Sequence, residues 1–223
     1  MQRHFDDQIQ ELLEKLVRMG RIAESMVQSA LRVLIERDES PAEEVARKEE
    51  EVNELQMEID DRAVKLTALQ QPVGSDVRFL FMASRIATEL ERIGDQAVNV
   101  CENAHHVLKA PPLKPLVDLP RMGEIAERMV RKSIEALVAR DCSLARAVLE
   151  EEKDVDAFRN QIFRVLLTYM MADPGTIERA LALILIARNL ERVGDHATNI
   201  AEEVIYLVEG REVRHHRESK MRP

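Results

Sequence analysis

Glu91 and Asp95 stand four residues apart in the segment Glu89 to Asn99, ELERIGDQAVN, and Glu191 and Asp195 repeat that spacing in Asn189 to Asn199, NLERVGDHATN. On a helix, residues at i and i+4 are surface neighbours, and a like-charged pair there costs about 0.2–0.5 kcal/mol. A bound cation would settle such a pair. Glu152 and Asp156 form a third pair of the same spacing, and their counterparts earlier in the chain are Glu49 and Asn53. Carboxylate and amide oxygens suit hard or borderline cations such as Mg²⁺, Mn²⁺ or oxidised iron better than copper or a thiolate zinc site. The competing reading is a solvated acidic face, since 33% of the residues are charged.

The doubling reaches beyond these pairs. Met19 to Val27, MGRIAESMV, aligns with Met122 to Val130, MGEIAERMV, and Arg37-Asp38 with Arg140-Asp141, all at an offset of 103 that falls to 100 by the second acidic motif. Three residues are thus missing from the second copy, between the stretches matching Val52 and Ser75, where a turn absorbs the loss most easily. Two homologous halves of roughly a hundred residues follow.

The elements that must position these side chains are helices. Ile9, Leu12, Leu13, Leu16, Met19 and Ile22 recur at helical spacing and mark a first helix running to about Ile35. Ser40-Pro41 stops it. A second helix runs from Pro41 to about Leu69, with Ser40 as its cap and the proline in its first turn, and a third from Asp76 to about Leu108, capped by Ser75 or Asp76. The second half repeats the order near Pro120–Ala139, Ser143–Ala172 and Gly175–Val208. No segment alternates with a period of two. Short breaks between long helices favour antiparallel neighbours, so the expected fold is all-α, two tandem three-helix bundles. The first covers residues 1–109 and the second 119–209, with a proline-rich linker at 110–118 and a basic polar tail at 210–223, expected to fray.

At 100° per residue, with Glu91 at zero, Asp95 falls at about 40°, Glu102 at about 20° and Asn99 at about 80°, while the apolar stripe of that helix centres near −120°. The carboxylates should point away from the core. Glu191, Asp195, Asn199 and Glu202 project likewise in the second half.

Composition narrows the function. A formal charge of −9, 3% aromatic residues and no tryptophan argue against nucleic acid, which needs basic surface and stacking rings. MQRHFDDQIQ lacks the apolar core of a signal peptide, and Ala180 to Ala187 is far shorter than the ~20 residues that cross a bilayer, so a soluble cytoplasmic protein is expected. Cys101 and Cys142 have no cysteine counterparts in the other half and read as buried or idle thiols. Glu102-Asn-Ala-His105 matches half of a di-iron bundle signature, but its counterpart, Glu202-Glu-Val-Ile205, has no histidine. His196 reads as a surface polar residue, with a further metal ligand as the alternative, His105 and His106 as partners of a helix C-terminus, and the methionines, Met170 and Met171 among them, as core fillers.

Leu90-Glu-Arg-Ile-Gly-Asp95 with Ala97 and Asn99, its copy Leu190-Glu-Arg-Val-Gly-Asp195 with Ala197 and Asn199, and the turn PVGSDVR from Pro72 to Arg78 resemble the PhoU family of bacterial phosphate-transport accessory proteins, over about Phe5 to Val208. The resemblance implies a non-enzymatic regulator that represses phosphate uptake and the phosphate-starvation two-component response. Its implied partners are the phosphate-specific ABC transporter, a phosphate-sensing histidine kinase and a second copy in a homodimer. It also implies multinuclear metal clusters, with iron, zinc, manganese and magnesium all open, held by Glu91, Asp95, Glu191, Asp195, Glu152, Asp156 and Glu49. Asn53 departs from the acidic pattern and removes one charge from the first-half site. The alternatives are a bundle di-metal enzyme and a structural helical dimer without metal.

Overall fold

A computed structural model of the chain describes residues 2–211 and 213, with side chains from Phe5 onward. Six long helices carry the fold: α1 (Gln2–Glu36), α2 (Ser40–Gln70), α3 (Ser75–Leu108), α4 (Asp118–Ala139), α5 (Cys142–Ala172) and α6 (Ile177–Glu209). Among the described residues there is no strand. The protein is all-α, built from two similar three-helix units. Beyond Arg211, and apart from Val213, the tail expected to fray lies outside the described residues.

The turns show why the helices end where they do. Arg37 and Arg140 occupy equivalent positions, and both adopt left-handed backbone, φ 55° and 50°, the cap geometry that closes a helix. The aspartates that follow start the next helices. Asp38 Oδ1 accepts from Ser40 N at 3.0 Å and Ser40 Oγ at 2.7 Å, and Asp141 Oδ1 accepts from Ser143 N at 2.8 Å and Leu144 N at 3.1 Å. Ser40 is therefore not the cap expected from its place before Pro41, because the carboxylate two residues earlier takes its amide. α3 begins after Gly74 with no side-chain cap, so neither Ser75 nor Asp76 fills that role. In the second copy Asp173 Oδ1 accepts from Gly175 N at 2.8 Å, and Pro174–Thr176 form a 3₁₀ turn, so α6 proper starts at Ile177 rather than Gly175. Since α2 and α5 are each 31 residues long, the missing residues fall in this turn.

Helices α1, α3, α4 and α6 form the centre, and α2 and α5 flank it, each packed against the two other helices of its own half. Across the halves α3 and α6 run antiparallel: Arg85 pairs with Glu203, Glu89 with Asn199, and Arg78 lies against Gly210. α1 and α4 cross in the same sense, with Arg131 paired to Glu24 at 3.4 Å. Two glycines of the repeated Met-Gly set their approach. A Cβ on Gly20 would stand 2.6 Å from Ile134 Cγ1, and one on Gly123 2.3 Å from Leu31 Cδ1. These contacts are equivalents of one another, so the halves meet about an approximate two-fold axis. The buried core is one continuous cluster across both halves. Burial at about 25 cal/mol per Å² makes such a shared core the main source of stability.

Two methionines break the core-filler expectation. Met171 and Met57 are 79% and 64% exposed, whereas Met19, Met26, Met82, Met122 and Met129 are buried. Cys101 is buried and its thiol is pushed up to about 12 by desolvation, then by Glu102, and Cys142 is also raised by burial. Neither carries thiolate at neutral pH.

Candidate metal centre

In each half the acidic motif lies on the third helix beside its flanking helix. Gly94 sets that approach in the first half. A Cβ there would meet Met26 Cε at 3.3 Å and Val52 Cγ1 at 3.8 Å. Gly194 does the same against the repeat equivalents, with Met129 Cε and Val155 Cγ1 both at 3.6 Å. Each glycine thus seats the flanking helix one residue before Asn53 or Asp156, and brings those positions alongside Asp95 or Asp195. The seam leaves the carboxylates half-buried rather than fully outward: Glu49, Asn53, Glu91, Asp95, Glu152, Asp156 and Glu191 are all of intermediate exposure, and Asp195 is exposed.

The first-half carboxylates share a field, with Arg92 and His196 nearby but no paired counter-ion among the described residues. Desolvation pushes the Glu49 carboxyl above its ordinary value, followed by the charges of Asp95, Glu50 and Glu102. Glu91 is raised by desolvation and by Asp95 and Glu49, with Arg92 and His196 opposing. Among the described residues no ion pair or side-chain hydrogen bond engages Glu49, Glu91 or Asp95. The second-half group contains its own cation. Arg159 Nη2 lies 3.0 Å from Glu191 Oε1 and 3.8 Å from Asp156 Oδ1. Glu191 is raised by desolvation, then lowered by Arg159 and raised by Asp195 and Asp156, with a net upward displacement. Asp195 is raised by desolvation, and among its neighbours His196 lowers it and Asp156 raises it.

The repeat explains this asymmetry. Arg159 corresponds to Gln56, which donates to Thr88 Oγ1 at 3.4 Å, and Asp156 corresponds to Asn53. The extra acid of the second half is matched by an extra base. Among the described residues no three His, Cys, Asp or Glu side chains are grouped so as to hold a metal ion as they stand. The first-half set fits a cation in donor type and in its unbalanced charge, whereas the second-half set must first displace Arg159.

Sequence reasoning missed the link between the two motifs. Glu89 Oε2 accepts from His196 Nδ1 at 2.8 Å and from Asn199 Nδ2 at 2.9 Å, and both Glu89 and His196 side chains are 15% exposed. Burial pushes the Glu89 carboxyl up, but the hydrogen bonds from His196 and Asn199 outweigh it and hold the group below its ordinary value. His196 is therefore an inter-half contact and not the surface residue its place beside Gln96 suggested. A signal was present in the repeat: Glu89 faces Asn189 in the alignment and His196 faces Gln96, so two departures from the copy complement each other. His105 also has a partner beyond the helix end, with Nδ1 2.7 Å from Glu39 Oε1. That contact ties His105 to the α1–α2 turn.

The PhoU domain family model matches residues 16–104 and 119–204. The chain belongs to the PhoU family. It is 37% identical over 212 residues to a phosphate-specific transport system accessory protein PhoU homolog of Pseudomonas putida, spanning 95% of this chain and 83% of that protein. The homolog of Caulobacter vibrioides is 38% identical over 210 residues, spanning 94% and 91%. The crystal structure of PhoU from Pseudomonas aeruginosa superposes with a TM-score of 0.90 at 36% identity, over 93% of this chain and all of that one. The phosphate transport system regulatory protein PhoU from Streptococcus pneumoniae gives 0.85 at 25% identity, over 94% and 99%. The PhoU-like six-helix fold expected from the doubled motif is the fold found.

Proposed function

We propose that this PhoU-family chain is a cytoplasmic regulatory adaptor of phosphate transport. It docks on the phosphate-specific ABC transporter and on the phosphate-sensing histidine kinase, and so represses phosphate uptake and the starvation response. The observation that carries this reading is the family membership of both halves, with relatives named as transport accessory proteins. Two features support an adaptor over an enzyme: the acidic groups lie half-buried along surface seams rather than in a bundle interior, and His105 pairs with Glu39. Among the described residues no helix is long and apolar enough to cross a membrane, which suits a protein reaching the membrane through its partners.

Within this reading Glu49, Asn53, Glu91 and Asp95 hold a metal ion or cluster in the first half, and Glu152, Asp156, Glu191 and Asp195 hold one in the second. The metal supplies positive charge that turns a repulsive row into an ordered surface for docking. Iron, manganese, magnesium and zinc all match these oxygen donors. The protein acts as a homodimer. Deleting the gene tests the regulatory role: phosphate-starvation genes are expected to stay on in rich phosphate, and normal repression in the deletion strain would refute it.

A further inference from the structure

The two halves differ where the second and third helices of each meet the turn that follows the first. In the first half, buried Val45 and Cys101 lie behind a cleft of about 490 Å³ beside Ala46 and Val98. Its rim carries Glu39, Glu102, His105 and His106, all exposed. Small-molecule sites occupy about 300–1,000 Å³ and combine an apolar wall with a few polar groups, as this cleft does.

The repeat shows the same space filled. The counterparts of Glu39, Ala46, His105 and His106 are Cys142, Leu149, Ile205 and Tyr206. All four pack on the core, and Ile205 is 1% exposed. The floor beneath is kept, with Val45 matched by Val148, Ala42 by Ala145, and Cys101 in place of Ala201. The first half therefore lacks the bulk of a leucine and an isoleucine side chain over a retained apolar floor, and a hydrocarbon body of similar size removes that floor from water.

The rim sets the polar end of the occupant. His105 engages Glu39 at 2.7 Å, whereas Glu102 makes no ion pair or side-chain hydrogen bond among the described residues. After desolvation, the Glu102 charge helps to raise both the Cys101 thiol and the Glu49 carboxyl. The basic groups of this region are engaged elsewhere. Lys48 pairs with Glu44, Arg47 acts on that same carboxylate, and Arg37 donates to the Leu108 and Ala110 carbonyls. Lys109 follows the end of α3, about 10 Å along the axis from Glu102.

We propose that this cleft binds a small organic ammonium compound, its aromatic or hydrocarbon body against Ala46, Val98 and Cys101 and its cationic end at Glu102. The rings of His105 and His106 meet edge to face at 5.9 Å and flank the body. The inference stands apart from the metal and adaptor readings, which assign no role to Ala46, Glu102 or His106.

The test uses the full chain with chelator present and two probes of similar size, 2-phenylethylamine and phenylacetate, followed by ligand-observed NMR. The amine is expected to bind with a Kd of about 1 mM or tighter, and about tenfold tighter than the acid, the factor a charge-assisted hydrogen bond supplies. Glu102→Gln should remove that preference. Ala46→Leu with His106→Tyr, which writes the second half's residues into the first, should abolish binding and raise the melting temperature by filling the cleft. Absence of amine binding at ~10 mM, equal affinity for the two probes, or amine binding that survives in the folded filled variant overturns the proposal. A dimer in sedimentation that the filled variant dissociates places a second copy in the cleft and overturns it too. If the filled variant fails to fold, Glu102→Gln decides, because an undiminished preference for the amine in that surface variant removes the proposed contact.

Discussion

Asn53 and Gln56 in one half, and Asp156 and Arg159 in the other, show how a duplicated site drifts without changing its net charge. Arg159 pairs with Glu191 and competes with any incoming cation, so the two sites should load unequally. Elemental analysis of protein purified without chelator is expected to show that Glu91→Gln with Asp95→Asn removes the first half's metal. Arg159→Gln should increase uptake at the second. Metal content unchanged in both variants would count against ligation at these seams. A separate residue-scale effect belongs to Glu127, raised above its ordinary value by desolvation, with Arg131 lowering it and Glu124 raising it. A carboxyl raised in the folded state binds more protons folded than unfolded, so its share of stability is present at low pH and lost as pH rises through the window just above the ordinary carboxylate value. Glu127→Gln should therefore lose less stability than the parent between acid and neutral pH, measured by urea midpoints. Identical pH slopes would remove Glu127 from the account.

The helices fall into two kinds, and the width of the apolar stripe separates them. α6 buries residues around much of its circumference, while α5 buries chiefly Ala145, Val148, Val155, Ile162 and Leu166, a narrow seam with steps of seven at its centre. A central helix meets neighbours on several sides, and a flanking helix needs only one. Glycine marks the close approaches, with different costs on substitution. Gly194 has its nearest foreign atoms at 3.6 Å, ordinary contact, so Gly194→Ala is expected to stabilise by up to ~1 kcal/mol through helix propensity. Gly123 would place a Cβ 2.3 Å from Leu31 Cδ1 and 3.0 Å from its Cγ, so Gly123→Ala forces the whole side chain to move and should destabilise by about 1–3 kcal/mol. Thermal unfolding of both variants checks the pair, and the same sign for both would contradict the packing described.

At the scale of the molecule one core joins the two unequal halves. α3 with α6 and α1 with α4 bury the inner faces of both units, and the Glu89 carboxylate with its two donors ties one motif to the other. A duplicated chain whose halves were merely tethered would unfold in two steps. Here a single cooperative transition is expected, with calorimetric and van't Hoff enthalpies equal. Two resolved transitions would show that the halves fold independently.

The sequence by itself determined the helices, their order and the doubling, because those rest on local periodicity, turn residues and self-similarity that any stretch of the chain displays. It also set Glu91, Asp95, Glu191 and Asp195 off the apolar stripe of their helices, since the angle of a residue around its own helix follows from position alone. Arg159 as counter-ion, His196 as the donor to Glu89, Asp38 as the acceptor of the Ser40 amide, and the exposure of Met171 were decided only by the tertiary structure. Each depends on which helix lies beside which, and that choice is made by the packing of Gly20, Gly94, Gly123 and Gly194 against side chains far away in the chain.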